Sequence, residues 1–229
     1  MFTELIYRPL LNLTVLLYST VGFHDLGIAI VAVTVVTRLA LLPLSMKTAK
    51  SQRAMATLAP EIERIKERLK GDMNAQSAEV MRLYKERGVS PLSGCLPLLI
   101  QFPILIGLYR VFLNLFHDGT LNLLYRFIPN PGTLHAIAFG FLDVSTPSRV
   151  LAVVAGLAQF AQAKLTAGNQ PQAGQAAAMN RQMLYLLPLM IVVIGWRLPA
   201  GLSLYWVATT LVSVGEQLYL RRSSGILAA

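Results

Sequence analysis

The sequence is poor in cysteine and histidine. It contains one cysteine, Cys95, and three histidines among 229 residues. A single cysteine forms no intramolecular disulfide and builds no cysteine-based metal cluster. His117 and His135 have no partner at metal-ligand spacing, so no metal site is expected. The chain also lacks the glycine-rich GxxxxGK[ST] pattern of a P-loop, so neither ATP use nor another cofactor is expected.

Charged residues are scarce as well, at 14% against 55% hydrophobic residues. With a mean hydropathy of +0.56, this composition is typical of a polytopic membrane protein. The 20 Lys and Arg residues outnumber the 11 Asp and Glu residues. In a membrane protein such an excess usually lies on the cytoplasmic side, so charge alone is weak support for nucleic-acid binding. The first ten residues lack a basic region and a cysteine, so we expect no signal peptide and no lipid anchor.

One long apolar stretch, residues 26–46, is sufficient to cross a bilayer as a helix, and Asp25 directly before it is the predicted N-cap. The stretch contains a full positive charge, Arg38, which costs roughly 2.5–3.5 kcal/mol at such a depth. Helical spacing places Thr34, Thr37, Arg38 and Ser45 on one face, which predicts that this face lines a wet cavity. The alternative is an arginine that reaches the inner headgroups along its own aliphatic stem.

The segment that follows, residues 47–90, is highly charged and predicts a cytoplasmic helical hairpin with its turn at Lys70, Gly71 and Asp72. Its apolar positions fall at the spacing of two short seams. The first is Leu58, Ile62, Ile65 and Leu69, and the second is Val80, Leu83 and Tyr84. The hairpin is either a docking surface for a partner or lipid headgroups, or a solvated connector between two spans. The candidate docking residues are Lys50, Arg53, Arg64, Lys66, Arg68 and Lys70.

Four further spans are predicted from apolar runs. Gln101 is the strongly polar side chain of the second span, where it either lines a cavity or bonds another helix. Gln159 and Gln162 share a face of the third span. The last span carries a second polar stripe at helical spacing. That stripe consists of Ser203, Trp206, Thr210, Ser213 and Gln217.

The predicted organisation follows from these spans and from the distribution of basic residues. Residues 1–23 are expected to form an external amphipathic helix on the membrane surface, or else one more span, with Glu4, Arg8 and Asn12 between its leucines. Fourteen of the 20 basic residues fall on one side, which places the N-terminus outside and the C-terminus in the cytoplasm. The predicted segments are 24–46, 91–116, 147–165, 182–197 and 199–220 as spans, 117–146 as an external loop with short interfacial helices, 166–181 as a mobile cytoplasmic linker and 221–229 as a short tail.

Three stretches resemble the YidC family of membrane protein insertases. They are VVTRLALLPLSMKTAKSQRAMATLAPEIERIKERLKGD (residues 35–72), GVSPLSGCLPLLIQFPILIGLYRVF (residues 88–112) and LPAGLSLYWVATTLVSVGEQLYL (residues 198–220). They occur in the family's order, and the resemblance covers roughly residues 4–222.

The resemblance implies an all-α polytopic membrane protein of the bacterial plasma membrane, with five transmembrane helices around a polar groove open to cytoplasm and lipid. Arg38, Gln162 and Trp206 match groove positions of the family, and the hairpin matches its substrate-receiving region. Together with the polar stripes, the predicted groove lining is Thr34, Thr37, Arg38, Gln101, Gln159, Gln162, Trp206, Thr210 and Ser213.

The implied function is that of a monomeric insertase, not an enzyme, which receives nascent membrane proteins and releases their helices into the bilayer, alone or with the Sec translocon. The ribosome and the signal recognition particle receptor are further implied partners, although the short tail after Arg222 argues against strong tail-mediated ribosome binding. The chain lacks the large periplasmic domain of some members, so a minimal type is expected.

Two other classes of protein compete with this interpretation. A small-solute or ion transporter could use Arg38 as an anion site, but the spans show no internal repeat and no paired broken helices. An intramembrane enzyme would need a base or nucleophile pair within the spans, and no such pair is evident in the sequence.

Overall fold

The computed structural model describes residues 1–90, 96–117, 119–167 and 174–226, without the side chains of residues 52, 53, 96–98, 166–181, 183 and 220–226. The protein is almost entirely helical. A π-helical turn, Thr3–Tyr7, leads into α1. The α-helices are α1 (Arg8–Ser19), α2 (Leu26–Thr57), α3 (Ala59–Arg68), α4 (Met73–Glu86), α5 (Leu96–Asn114), α6 (Arg149–Ala167), α7 (Gly174–Gly195) and α8 (Ala200–Ile226).

Helix α2 begins at a capping aspartate. The Asp25 side chain accepts a hydrogen bond from the backbone N–H of Ile28, which confirms the predicted N-cap. The helix then runs through Pro43 and past residue 46, where the sequence predicted a change from span to hairpin. A proline removes one backbone hydrogen bond, but the lysine-, alanine- and arginine-rich segment after it favours helix and continues it. At 32 residues, α2 is about 48 Å long and joins the span directly to the hairpin.

One apolar cluster holds α1, the first half of α2, the second half of α5 and the start of α8 together. Its fully buried members from α1, α2, α5 and α8 include Leu11, Val15, Tyr18, Leu26, Leu108, Val111 and Leu202. The N-terminal helix is therefore packed into the core of the bundle. Whether it lies along the membrane surface or forms one more span, the two possibilities that the sequence left open, stays a prediction. This cluster closes the end of the bundle that carries the 117–146 loop.

Asn12 joins α1 to that loop. The sequence pattern placed Asn12 among the polar positions of α1, yet the residue is only 2% exposed. Its amide nitrogen donates to the carbonyl oxygens of Arg8 at 2.7 Å and Leu123 at 3.2 Å. Its amide oxygen accepts from the backbone N–H of Tyr125 at 2.6 Å. Asn12 thus replaces the water that a loop backbone would otherwise bind.

Replacing Asn12 by alanine is expected to destabilise this end of the bundle. The Tyr125 N–H would lose its partner, which costs about 1–3 kcal/mol, whereas the Leu123 carbonyl keeps its bond from the Arg8 guanidinium. Thermal unfolding in detergent should show a midpoint lower by roughly 3–10 °C. Asn122→Ala, a change at an exposed position of the same loop, serves as the control. Equal midpoints for the two variants would contradict the role assigned to Asn12.

The loop between α5 and α6 differs from the prediction of short helices alone. It contains a 3₁₀ turn, Thr120–Leu123, and a small antiparallel β-ladder that pairs β1 (Ile137–Ala138) with β2 (Leu142–Asp143). The ladder packs against the start of α2, where the Phe139 N–H donates to the Asp25 carboxylate at 2.6 Å. Two residues per strand give too weak a periodic signal to be found in a sequence.

Helices α6, α7 and α8 pack along one another, and α6 and α7 approach closely at Gly156. A Cβ atom at Gly156 would clash with the Val192 side chain and lie 3.1 Å from the Pro188 carbonyl oxygen. The predicted linker is wrong for residues 174–181, which form the first turns of α7, because this alanine-rich segment favours helix. Residues 168–173 lie outside the described part of the chain. Helix α8 likewise continues beyond residue 220, into the predicted tail.

Large apolar side chains remain exposed on several helices. Leu39 of α2, Leu157 of α6, Val193 of α7 and Leu211 of α8 are each at least 60% exposed. Apolar surface spread over four helices in this way fits contact with lipid. Within the described residues one helix, α2, is long and apolar enough to cross a membrane, and shorter apolar segments lie at Leu99–Asn114 and Leu184–Gly195. The count of five spans and their orientation stay predictions.

Candidate functional site: a polar cleft around Arg38

Arg38 lies on α2, beyond the apolar cluster and on the side of the hairpin. The residue is half-buried, and its Nε atom is buried without a hydrogen-bond partner in the structure. A small cleft opens beside it between α2 and α5. The lining residues are Arg38, Leu41, Leu44, Ser45 and Thr48 of α2 and Ile100 and Gln101 of α5. A guanidinium with free donor capacity in a partly desolvated cleft is suited to receive an anionic or carbonyl group.

Gln101 connects the cleft to α8. Its amide nitrogen donates a hydrogen bond to the Tyr205 hydroxyl, and Tyr205 is only 2% exposed. Of the two possibilities that the sequence left open for Gln101, the structure therefore shows both a bond to another helix and a place in the cleft lining. The sequence prediction did not include Tyr205, because the polar stripe at helical spacing on the last span passes through the neighbouring residue, Trp206. Trp206 is half-buried and packs against the apolar cluster.

The two threonines predicted beside Arg38 bond to their own helix. The Thr34 hydroxyl donates to the Ile30 carbonyl at 2.7 Å, and Thr34 is fully buried. The Thr37 hydroxyl lies within hydrogen-bond distance of the Val33 carbonyl at 2.8 Å. Hydroxyls that bond to a backbone carbonyl of their own helix destabilise that helix slightly, and they have little hydrogen-bonding capacity left for a cavity.

A further polar contact joins α6 to α8. The Thr210 hydroxyl donates a long hydrogen bond of 3.4 Å to the Gln159 side-chain oxygen. Thr210 and Ser213 are buried, whereas Gln159 and Gln162 are half-buried. The predicted lining residues thus occupy α2, α5, α6 and α8, but Gln159 and Thr210 face each other across a different pair of helices from Arg38 and Gln101. Their common role in one groove stays a prediction.

Glu216 of α8 is the residue near Arg38 that sequence reasoning did not assign to the site. Its carboxylate is half-buried and interacts electrostatically with Arg38. The two groups form no ion pair within 4.0 Å in the structure. The sequence offered a signal: Glu216 is the one acidic residue of the chain between positions 144 and 229.

The hairpin has an apolar core of its own, as predicted. Its buried residues are Met55, Leu58, Ile62, Ile65, Val80, Leu83 and Tyr84, with Leu69 packed against them. The turn is also confirmed, since Gly71 has a φ of +96° and Asp72 caps α4. Burial in this core raises the pKa of the Tyr84 hydroxyl.

Ion pairs occupy part of the predicted docking surface. Arg68 contacts Glu79 at 2.8 Å across the two helices, and Lys66 pairs with Glu63 on α3. Lys50, Arg64 and Lys70 are exposed, and the side chain of Arg53 lies outside those described.

A second interhelical pair joins Arg87 to Glu61 at 2.7 Å. The hydrogen bond from Arg82 to Glu86 raises the pKa of the Arg82 guanidinium. These are exposed pairs, which water and salt screen, so they contribute little to the stability of the hairpin.

Comparison with known proteins gives one consistent result. The family described as 60Kd inner membrane protein matches residues 16–225. The membrane protein insertase YidC of Fusobacterium nucleatum is 32% identical over 219 residues, which cover 95% of this chain and 97% of that protein. The membrane protein insertase MisCA of Bacillus subtilis is 36% identical over 200 residues, covering 85% of this chain and 70% of that protein.

A solved structure extends this likeness to the fold. The crystal structure of an active YidC insertase with its first transmembrane domain resolved aligns with a TM-score of 0.65 and 28% identity. The alignment covers 95% of this chain and 46% of the solved one, so the chain spans just under half the length of that protein. In the described residues, no group of three or more His, Cys, Asp or Glu side chains could hold a metal ion.

Proposed function

Because this chain belongs to the 60 kDa inner membrane protein family, which includes the YidC insertases, we propose that it is a membrane protein insertase. It receives newly made membrane proteins in the cleft around Arg38 and releases their helices into the lipid bilayer. The observation that supports this most directly is the half-buried Arg38, whose Nε is without a partner in a cleft between helices that expose apolar side chains on their outer faces.

The physical task is to carry a polar client segment across hydrocarbon. Each unsatisfied polar group costs several kcal/mol in lipid, and a charged group costs at least as much. A polar cleft that reaches part of the way across the membrane shortens that path. Arg38 attracts acidic client residues there, and the attraction is stronger than in water because the local dielectric constant is lower. No chemical step is involved in this mechanism.

Release follows from the apolar client helix itself. Burying its side chains in lipid contributes about 25 cal/mol per Å² of apolar surface, which drives net insertion without another energy source. In this proposal the client leaves sideways along α6 and α8, whose exposed residues include Leu157 and Leu211. Helices α2, α5, α6, α7 and α8 are the five spans, with the N-terminus outside and the hairpin and C-terminus in the cytoplasm.

The hairpin is the receiving surface in this proposal. Its exposed basic side chains, Lys50, Arg64 and Lys70, face an aqueous compartment where clients, ribosomes or a targeting receptor arrive. Helix α4 also contacts α7, so the hairpin is mechanically joined to the bundle. The Sec translocon is a further partner in this proposal.

Reconstitution tests the proposal. A single-span client with an acidic outer tail is added to liposomes that contain only this protein, and protection of the tail from external protease measures insertion. The expected result is protection well above that in protein-free liposomes. Protection at the protein-free level would contradict autonomous insertion. Flux of a small anion through the same liposomes would instead favour a transporter with Arg38 as its anion site.

A further inference from the structure

Glu216 is isolated among the acidic residues of the bundle. Of the 11 acidic residues in the sequence, six belong to the hairpin segment, and the helices α5 to α8 contain Glu216 alone. A carboxylate that is half-buried in such a helix is costly unless a cation compensates it. Its position therefore requires an explanation that lipid contact does not give.

The compensating cation is Arg38. Among the side chains that the structure describes, it is the charged group that interacts electrostatically with Glu216, across the packed pair α2 and α8. The same arginine also interacts electrostatically with Tyr205 of α8. Residues 205, 209, 213 and 216 are spaced by four, four and three positions, so Tyr205 and Glu216 lie on the same face of this helix. Glu216 thus belongs to the polar face that meets Arg38.

Arg38 and Glu216 interact electrostatically but do not form a contact ion pair. The two groups lie beyond the 4.0 Å of an ion pair, and the Arg38 Nε has no hydrogen-bond partner. A contact pair would occupy the guanidinium and hold the two helices in register. A looser pair lowers the energy of the buried cation and leaves its donors available to another carboxylate.

We propose that Glu216 is a resident counterion of Arg38 with which the acidic residues of a client compete, so that it sets how much negative charge a client needs to be received. This inference rests on the proposed insertase function. It makes Glu216 a specificity-determining residue: a neutral client gains nothing from Arg38 and is insensitive to Glu216, whereas a client with one carboxylate must compete with it.

The experiment compares wild type, Glu216→Gln and Glu216→Asp in liposomes with three clients that carry zero, one or three acidic residues in the outer tail. Glu216→Gln is expected to raise insertion of the one-acid client by roughly 3- to 10-fold, because the competing charge near Arg38 is removed. The three-acid client should gain less, and the neutral client should be unchanged. Glu216→Asp keeps the charge and should retain the wild-type dependence on client charge.

A matched control is Glu4→Gln, which removes one negative charge from an exposed position outside both the hairpin and the cleft. It should leave the dependence on client charge as in wild type. Equal charge dependence in wild type and Glu216→Gln would overturn the counterion role, while insertion by wild type would still support the proposed function. A uniform loss for all three clients would also overturn it, since Glu216 would then only support the fold. Failure of wild type with every client would instead contradict the insertase itself.

Discussion

Alanine at position 38 is expected to lower the insertion of an acidic-tailed client by roughly 10- to 100-fold. A charge-assisted hydrogen bond contributes about 1.5–3 kcal/mol. If that energy lowers the activation barrier for entry of the client into the cleft, its loss slows insertion by roughly 10- to 100-fold. Arg38 is the cation that lines the cleft with Gln101, and its Nε has no partner to lose. The loss therefore falls on the client's binding and not on an internal bond of the guanidinium Nε.

Lysine at position 38 tests whether the positive charge or the planar shape of the guanidinium is needed. Its ammonium group keeps the positive charge but loses the planar fork of the guanidinium, so most of the activity should return. Arg197→Ala is the matched control, because it removes an exposed arginine after α7. A client with a neutral tail should insert equally well into liposomes that contain wild type, Arg38→Ala or Arg197→Ala.

The readout is protection of the client tail from protease, measured as an initial rate at several salt concentrations. Screening weakens exposed charges more than buried ones, so the advantage of wild type over Arg38→Ala should shrink only moderately as salt rises. If Arg38→Ala inserts the acidic client at the wild-type rate, the polarity of the cleft matters and its charge does not. Activity lost equally for neutral and acidic clients would indicate a folding defect.

Local signals in the sequence located much of this structure. The Asp25 cap, the turn at Gly71 and the hairpin seam through Ile62 and Leu83 were all predicted, because each depends on residues fewer than about 30 positions apart. Helical spacing also identified Arg38 as the residue that needs an explanation, since a charge within an apolar run is conspicuous without any knowledge of the fold.

The sequence could not predict contacts that depend on how the helices pack. Asn12 meets the backbone of Tyr125, and Gln101 meets Tyr205 more than 100 positions away. Glu216 looked like an ordinary polar end of the last helix until α2 and α8 were placed side by side. The start of α7 was missed for another reason. Its alanine, glutamine and glycine residues suit a linker by composition, but alanine also has the highest intrinsic helix propensity.

The second large effect is expected in the hairpin, at Ile62. This side chain is fully buried in a core of seven residues contributed by the end of α2, α3 and α4. Ile62→Ala should cost about 2–5 kcal/mol, because the deleted methyl groups leave a cavity and so small a core has few neighbours to refill it. The exposed ion pairs of the hairpin are screened by solvent and are too weak to compensate for this loss.

The expected consequence is local opening of the hairpin and not unfolding of the bundle, since the hairpin core is separate from the apolar cluster around α1. Amide hydrogen exchange within residues 59–86 should accelerate by at least about 30-fold, while the amides of α8 exchange as in wild type. Met81→Ala, at a position 55% exposed on α4, should change neither region. If exchange in the hairpin stays slow in Ile62→Ala, its stability comes from the contact between α4 and α7. The receiving surface would then be a rigid extension of the bundle, and clients would have to enter the cleft without any hairpin opening.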